Sequence, residues 1–136
     1  MQLYIAYKNY SSWSLRPWLA MKVAGLEFQE TLLPFDHSDA LDQLAAQYRI
    51  PAQVPVLVTE EQVIWDSLAI LEYLAETHPD YPWWPQERWL RALARSTAAE
   101  MHSGFSTLRS EVSDGAVPKN TKRSHPRFKQ IWSGWP

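Results

Sequence analysis

Polar and apolar positions change their period several times along the chain, and each change predicts an element. Residues 2–7 alternate and are rich in β-favouring side chains, so they read as a first strand. Ser11, Ser12 and Ser14 are helix-capping types, and Leu15, Trp18, Leu19, Lys22 and Val23 then follow helical spacing. Pro17 is tolerated in a first helical turn, which predicts a start no earlier than Ser12 to Ser14, and Gly25 suits the position just past the end. Residues 28–33 read as a second strand ended by Pro34, and Ser38 can cap a short helix over residues 39–48. Residues 54–58 form a β-branched run interrupted by Pro55, which cannot donate to a ladder. Residues 60–62 turn the chain into a hairpin partner at 63–65. Asp66 or Ser67 then caps a helix with Leu68, Leu71, Leu74 and Ala75 on one face, closed by His78 and Pro79.

Pro79, Pro82 and Pro85 make residues 79–86 a stiff connector, so a domain boundary is expected there, after a first domain at 1–78. Beyond it, Trp89, Leu93, Ala94, Ala98, Met101, Phe105 and Leu108 predict an amphipathic helix within residues 87–110. Its apolar face is expected to lie on the first domain. Residues 111–136 show neither period and read as an irregular basic tail. The order β-α-β-α-β-β-α describes a crossover unit, a hairpin and a final helix: an α/β domain with a mixed four-stranded sheet, as in thioredoxin-like domains.

Composition narrows the functions. A hydrophobic share of 46% and a charged share of 21% suit a globular domain, and the eight Trp are expected mainly in core and linker packing. Residues 1–110 carry 8 Lys/Arg against 13 Asp/Glu, and residues 111–136 carry 5 against 2. An acidic body argues against a nucleic-acid partner, the mildly basic tail notwithstanding. No apolar run is long enough to span a membrane, and the first residues lack a basic region followed by an apolar one. A cytoplasmic location with no membrane partner is therefore expected. The chain has no cysteine, which excludes disulfides, thiolate metal sites and redox mechanisms that use a protein thiol. Any sulfur chemistry must use a sulfur brought by the ligand. His37, His78, His102 and His125 show no metal-ligand spacing, so no metal is expected, and four glycines make no phosphate loop.

Three stretches carry a family resemblance: KNYSSWSLRPWLAMK, QVPVL and WDSLAILEYLAE. Together they resemble the N-terminal domain of glutathione S-transferases, nearest to serine-type, zeta-like bacterial members. Trp13 stands where that class has Cys. WLRALARSTAAEMHSGFSTLRSE is similar to the first helix of the family's second, all-α domain. The likeness covers residues 1 to about 111, so only the first helix of that domain, within residues 87–110, is expected as a remnant of it. This puts the hydrophobic-substrate site in question.

The resemblance implies glutathione as co-substrate, an electrophilic small molecule as its reaction partner, and a homodimer. It places Ser11 as the hydroxyl that stabilises the thiolate, with Ser12 as the near alternative, Ser14 more distant, and Tyr7 and Tyr10 as rivals. Read from the residues alone, the serines are helix caps and Tyr7 is a packing residue. A hydroxyl near a helix N-terminus lowers a thiol pKa by favouring the anion. The resemblance also implies a cis Val54–Pro55 bond, a form taken by only about 5–6% of X–Pro bonds. The Val54 backbone would then pair with the tripeptide, with Gln53 as a contact beside it. Ser67 is implied to hold the γ-glutamyl carboxylate and Asp66 its ammonium group, directly or across a dimer. Arg16 and His37 are weaker candidates. Two functions follow: a glutathione transferase, or a catalytically impaired glutathione-binding or dimerisation module.

Overall fold

The computed structural model describes residues 1–34 and 38–105. Its elements are β1 (Gln2–Ile5), α1 (Ser12–Val23), β2 (Gln29–Leu32), α2 (Ser38–Tyr48), β3 (Val56–Val58), β4 (Val63–Trp65), α3 (Ser67–Thr77) and α4 (Arg88–Ser103). Expectations for His37 and for residues 106–136 lie outside the described residues.

The strands form one sheet in the order β2-β1-β3-β4. β1 runs parallel to β2 and antiparallel to β3, and β4 is antiparallel to β3. This is the mixed four-stranded sheet of a thioredoxin-like domain. Alternation along β1 sends Leu3 and Ile5 to one face, where they pack with Met21, Leu57, Ile70 and Leu74 under α1 and α3. On the other face Leu44 and Ile50, in and just after α2, pack on Val56, with Tyr4 beside them.

Several boundaries differ from the sequence reading for local reasons. β1 ends at Ile5, and Tyr7 sits in the following turn, where its carbonyl accepts from Tyr10 and Ser11. Tyr7 is 39% exposed, so it is not the core-packing residue expected. β3 begins at Val56 rather than residue 54, because Pro55 lacks the N–H a ladder needs. Pro17 is the sixth residue of α1, in its second turn, where it cannot donate to the Trp13 carbonyl. The buried proline ring packs in the core there. Just past α1 and its cap residue Ala24, Gly25 takes φ 68°, in the region that only glycine enters readily.

Strand register positions the site. Tyr4, near the end of β1, pairs with Val56 at the start of β3, and Val56 pairs with Trp65 at the end of β4. The chain leaving β1, the chain entering β3 and the chain leaving β4 therefore meet at one edge of the sheet. Ser11, Val54–Pro55 and Asp66–Ser67 occupy those three connections.

α4 meets the domain through a mixed face of polar and apolar side chains. Arg95 bonds to Glu72 of α3 at 3.2 and 3.3 Å, and His102 approaches Asp66 at 3.1 Å. Trp89, Leu93 and Met101 are exposed, and no residue of α4 is buried. The predicted stripe is divided: Trp89 and Leu93 are exposed, while Ala98 and Met101 line a recess with Leu68 and Leu71 of α3.

Candidate functional site

A cleft of about 340 Å³ opens at this sheet edge, lined by Trp13, Gln53, Val54, Pro55, Asp66, Ser67 and His102. The fold thus brings together five of the predicted site residues from two separate loops. The Val54–Pro55 peptide is cis. A larger cleft of about 570 Å³ lies at the opposite edge of the sheet and holds none of the predicted residues.

Asp66 is the N-cap of α3. Its Oδ1 accepts from the Leu68 and Ala69 amides at 2.8 and 3.2 Å, satisfying two of the helix's orphan donors. Its backbone takes φ 80° and ψ 131°, a sparsely populated conformation for a residue with a Cβ. Such strain costs on the order of 1–3 kcal/mol and clusters at ligand sites. Ser67 follows at the first helical position, 1% exposed, and its Oγ has no hydrogen-bond partner among the described residues. A buried hydroxyl left unpaired costs about 1–3 kcal/mol. Here it sits beside helix amides that attract anions.

The three serines of α1 divide their roles. Ser11 is buried, and its Oγ accepts from the Ser14 amide at 3.2 Å as the helix cap. Ser14 in turn accepts from the Ala6 amide at 3.1 Å, tying the end of β1 to α1. Ser12 Oγ is buried without a partner among the described residues. Neither Ser11 nor Ser12 lines the 340 Å³ cleft, although the next residue, Trp13, does. The Ser11 cap uses an oxygen lone pair, so its O–H proton remains available to a further acceptor. Tyr7 and Tyr10 stack edge to face at 6.3 Å, both exposed.

Two lining residues, Trp13 and His102, were not predicted for the site. His102 comes from α4 and packs edge to face on Trp13 at 5.0 Å, while Arg16 lies over the Trp13 ring at 4.5 Å. Arg16 lines a smaller recess of about 130 Å³ together with Ser67, Leu68, Leu71, Ala98, Met101 and His102. A lone histidine on a helix carries no sequence signal of a site; only the docking of α4 brings it there. Among the described residues no cluster suits a metal ion.

Residues 10–77 match the family described as "Glutathione S-transferase, N-terminal domain". The chain is 37% identical over 107 residues to a probable maleylacetoacetate isomerase of Caenorhabditis elegans, covering 78% of this chain and 48% of that protein. It spans about half the length of most curated relatives it matches. A crystal structure of a maleylacetoacetate isomerase from Methylobacterium extorquens AM1, with bound malonate and glutathione, aligns with a TM-score of 0.66 at 29% identity. That match covers 76% of this chain and 48% of the other. A maleylpyruvate isomerase, described as a bacterial zeta-class glutathione S-transferase, aligns with a TM-score of 0.69 at 26% identity, covering 80% and 50%. With a family match over half its length and the family's fold beneath it, the chain belongs to the glutathione S-transferases.

Proposed function

We propose that the chain binds glutathione as co-substrate and presents its sulfur, as thiolate, to an electrophilic small molecule, working as a homodimer. The observation that carries this reading is the unpartnered Ser67 hydroxyl, 1% exposed at the start of α3 and lining the cleft. A buried hydroxyl at a helix N-terminus is complementary to a carboxylate, and the γ-glutamyl group supplies one. Asp66 then meets the ammonium on the same carbon. The Val54 backbone pairs with the extended tripeptide, and Gln53 contacts it from the adjoining loop, while Arg16 and His37 are lesser contacts.

The sulfur is directed to the start of α1. A free thiol near pKa 8.5 is mostly protonated at neutral pH. The Ser11 hydroxyl, donating beside the α1 N-terminus, favours the anion; Ser12 is the competitor. The thiolate forms a carbon–sulfur bond with the electrophile. In a transferase a leaving group departs. Relatives named maleylacetoacetate isomerase favour reversible addition instead: sulfur adds to a conjugated double bond, the bond rotates, and elimination returns glutathione unchanged.

Calorimetric titration with reduced glutathione tests the binding. Saturable binding in the millimolar range or tighter is expected, and none in a folded sample overturns the reading. Turnover of an aryl halide or of a maleyl substrate then tests the chemistry. Binding without any turnover would leave a glutathione-binding module.

A further inference from the structure

Helix α4 touches the cleft through one polar side chain, His102. Its Nε2 lies 3.1 Å from Asp66 Oδ2. A carboxylate only accepts, so Nε2 carries a proton; in the neutral ring Nδ1 is then an acceptor. That Nδ1 is buried with no partner among the described residues. The two oxygens of Asp66 are thereby divided. Oδ1 is committed to the Leu68 and Ala69 amides of α3, while among the described residues Oδ2 is held by His102.

We infer that His102 is a positioning residue of the ligand site, orienting Asp66 so that Oδ2 presents its remaining lone pair to the ligand's ammonium group. The inference rests on the glutathione reading above. Three observations separate it from a plain interhelix tie. The α3–α4 contact already has such a tie in the paired Arg95–Glu72 bonds, a turn or two away from the cleft. The His102 ring is itself fixed from the other side by Trp13, on which it rests at 5.0 Å, with Arg16 over that indole at 4.5 Å. The carboxylate it holds belongs to the strained residue of the site, with φ 80°. A carboxylate oxygen has two lone pairs, so one donation from His102 fixes its direction and leaves a place for a second donor. Hydrogen bonds of this outer kind tune how well a carboxylate holds its ligand.

The test compares two ligands on the full chain: glutathione and glutaryl-Cys-Gly, which lacks only the α-amino group. In the wild type, glutathione binds more tightly than the analogue. His102→Ala is expected to weaken glutathione about tenfold while leaving the analogue within twofold, so the discrimination collapses. His102→Gln, whose amide N–H reaches a similar point, restores most of it. Circular dichroism and the denaturation midpoint establish that each variant is folded. Equal losses for both ligands, unchanged glutathione affinity in His102→Ala, or no rescue by His102→Gln each overturn the inference while leaving the glutathione reading standing. No binding of glutathione to the wild type overturns both.

Discussion

Four serine hydroxyls at the starts of α1 and α3 look alike in the sequence and have different work in the fold. Ser11 caps α1 and Ser14 fastens β1 to it, whereas Ser12 and Ser67 are buried without partners among the described residues. Ser11→Ala should therefore lower stability by about 1 kcal/mol through the lost cap. Ser12→Ala should leave stability unchanged or slightly raised, since it removes an unpaired buried group. Urea denaturation measures both. The ultraviolet absorbance of the thiolate of bound glutathione separately reports which hydroxyl faces sulfur; loss in Ser12→Ala but not in Ser11→Ala would move the assignment. Ser67→Ala should leave folding stability unchanged or raised, since it too removes an unpaired buried group, yet weaken glutathione by roughly 1.5–3 kcal/mol, the worth of a hydrogen bond to a charged group. Unchanged calorimetric affinity in that variant would remove the principal support for the proposed binding mode. The sequence could nominate these residues because turn-forming and capping types are readable from local pattern. It could not apportion them, because partnering depends on which backbone amides the fold brings near. His102 was illegible for the same reason, coming from a helix more than thirty residues past Asp66.

At the scale of elements, β2 and α1 are joined by Glu30, which accepts from Trp18 Nε1 at 2.6 Å and pairs with Lys8. The hydrogen bond from Lys8 is the main cause of a Glu30 carboxyl held below its ordinary value; desolvation opposes it, and Trp18 helps. A carboxyl with a depressed native pKa binds protons less readily folded than unfolded. Its stabilisation is full above the ordinary carboxylate range and is lost as pH falls through the native pKa. Glu30 is partly exposed, so the effect should be small and screened by salt. Glu30→Gln should accordingly be less stable than wild type at neutral pH, and the gap should close as acid protonates Glu30. Denaturation midpoints across that range, at low and high salt, would measure it. A gap that stays constant into acid would show that packing rather than charge links these elements. The elements themselves were largely legible. Period, caps and prolines mark the cores of β1, α1, β4 and α3, because those signals act within a few residues. Strand ends were less so: ladder partners decide where β1 and β3 stop, and Pro55 removes one donor at the start of β3.

For the whole molecule, the outward face of α4 matters most. At about 100° per residue, Trp89, Leu93 and Leu90 fall within roughly 100° of arc, Ala98 and His102 lie on the other side, and Met101 sits between, lining the recess against α3. Periodicity in the sequence revealed the apolar stripe but not which part of it meets α3: Ala98 and Met101 do, while Trp89, Leu90 and Leu93 stay exposed. That outward part is open: Trp89 is 63% exposed, Leu93 51% and Leu90 40%. Contiguous apolar surface of this kind marks an interaction site. Pairing of two copies through it would remove that surface from water, at about 25 cal/mol per Å² of apolar area. An isologous contact places each residue against its counterpart's neighbours, so one changed position acts twice in the dimer. Light scattering of the chain at micromolar concentration should therefore give twice the monomer mass. Trp89→Glu combined with Leu93→Glu should bring it to a monomer, with the helical circular dichroism retained because both positions are exposed. A monomeric wild type would sink the dimer. A dimer that survives the double substitution would place the interface on another face, and the exposed side of α4 would then be solvent-facing.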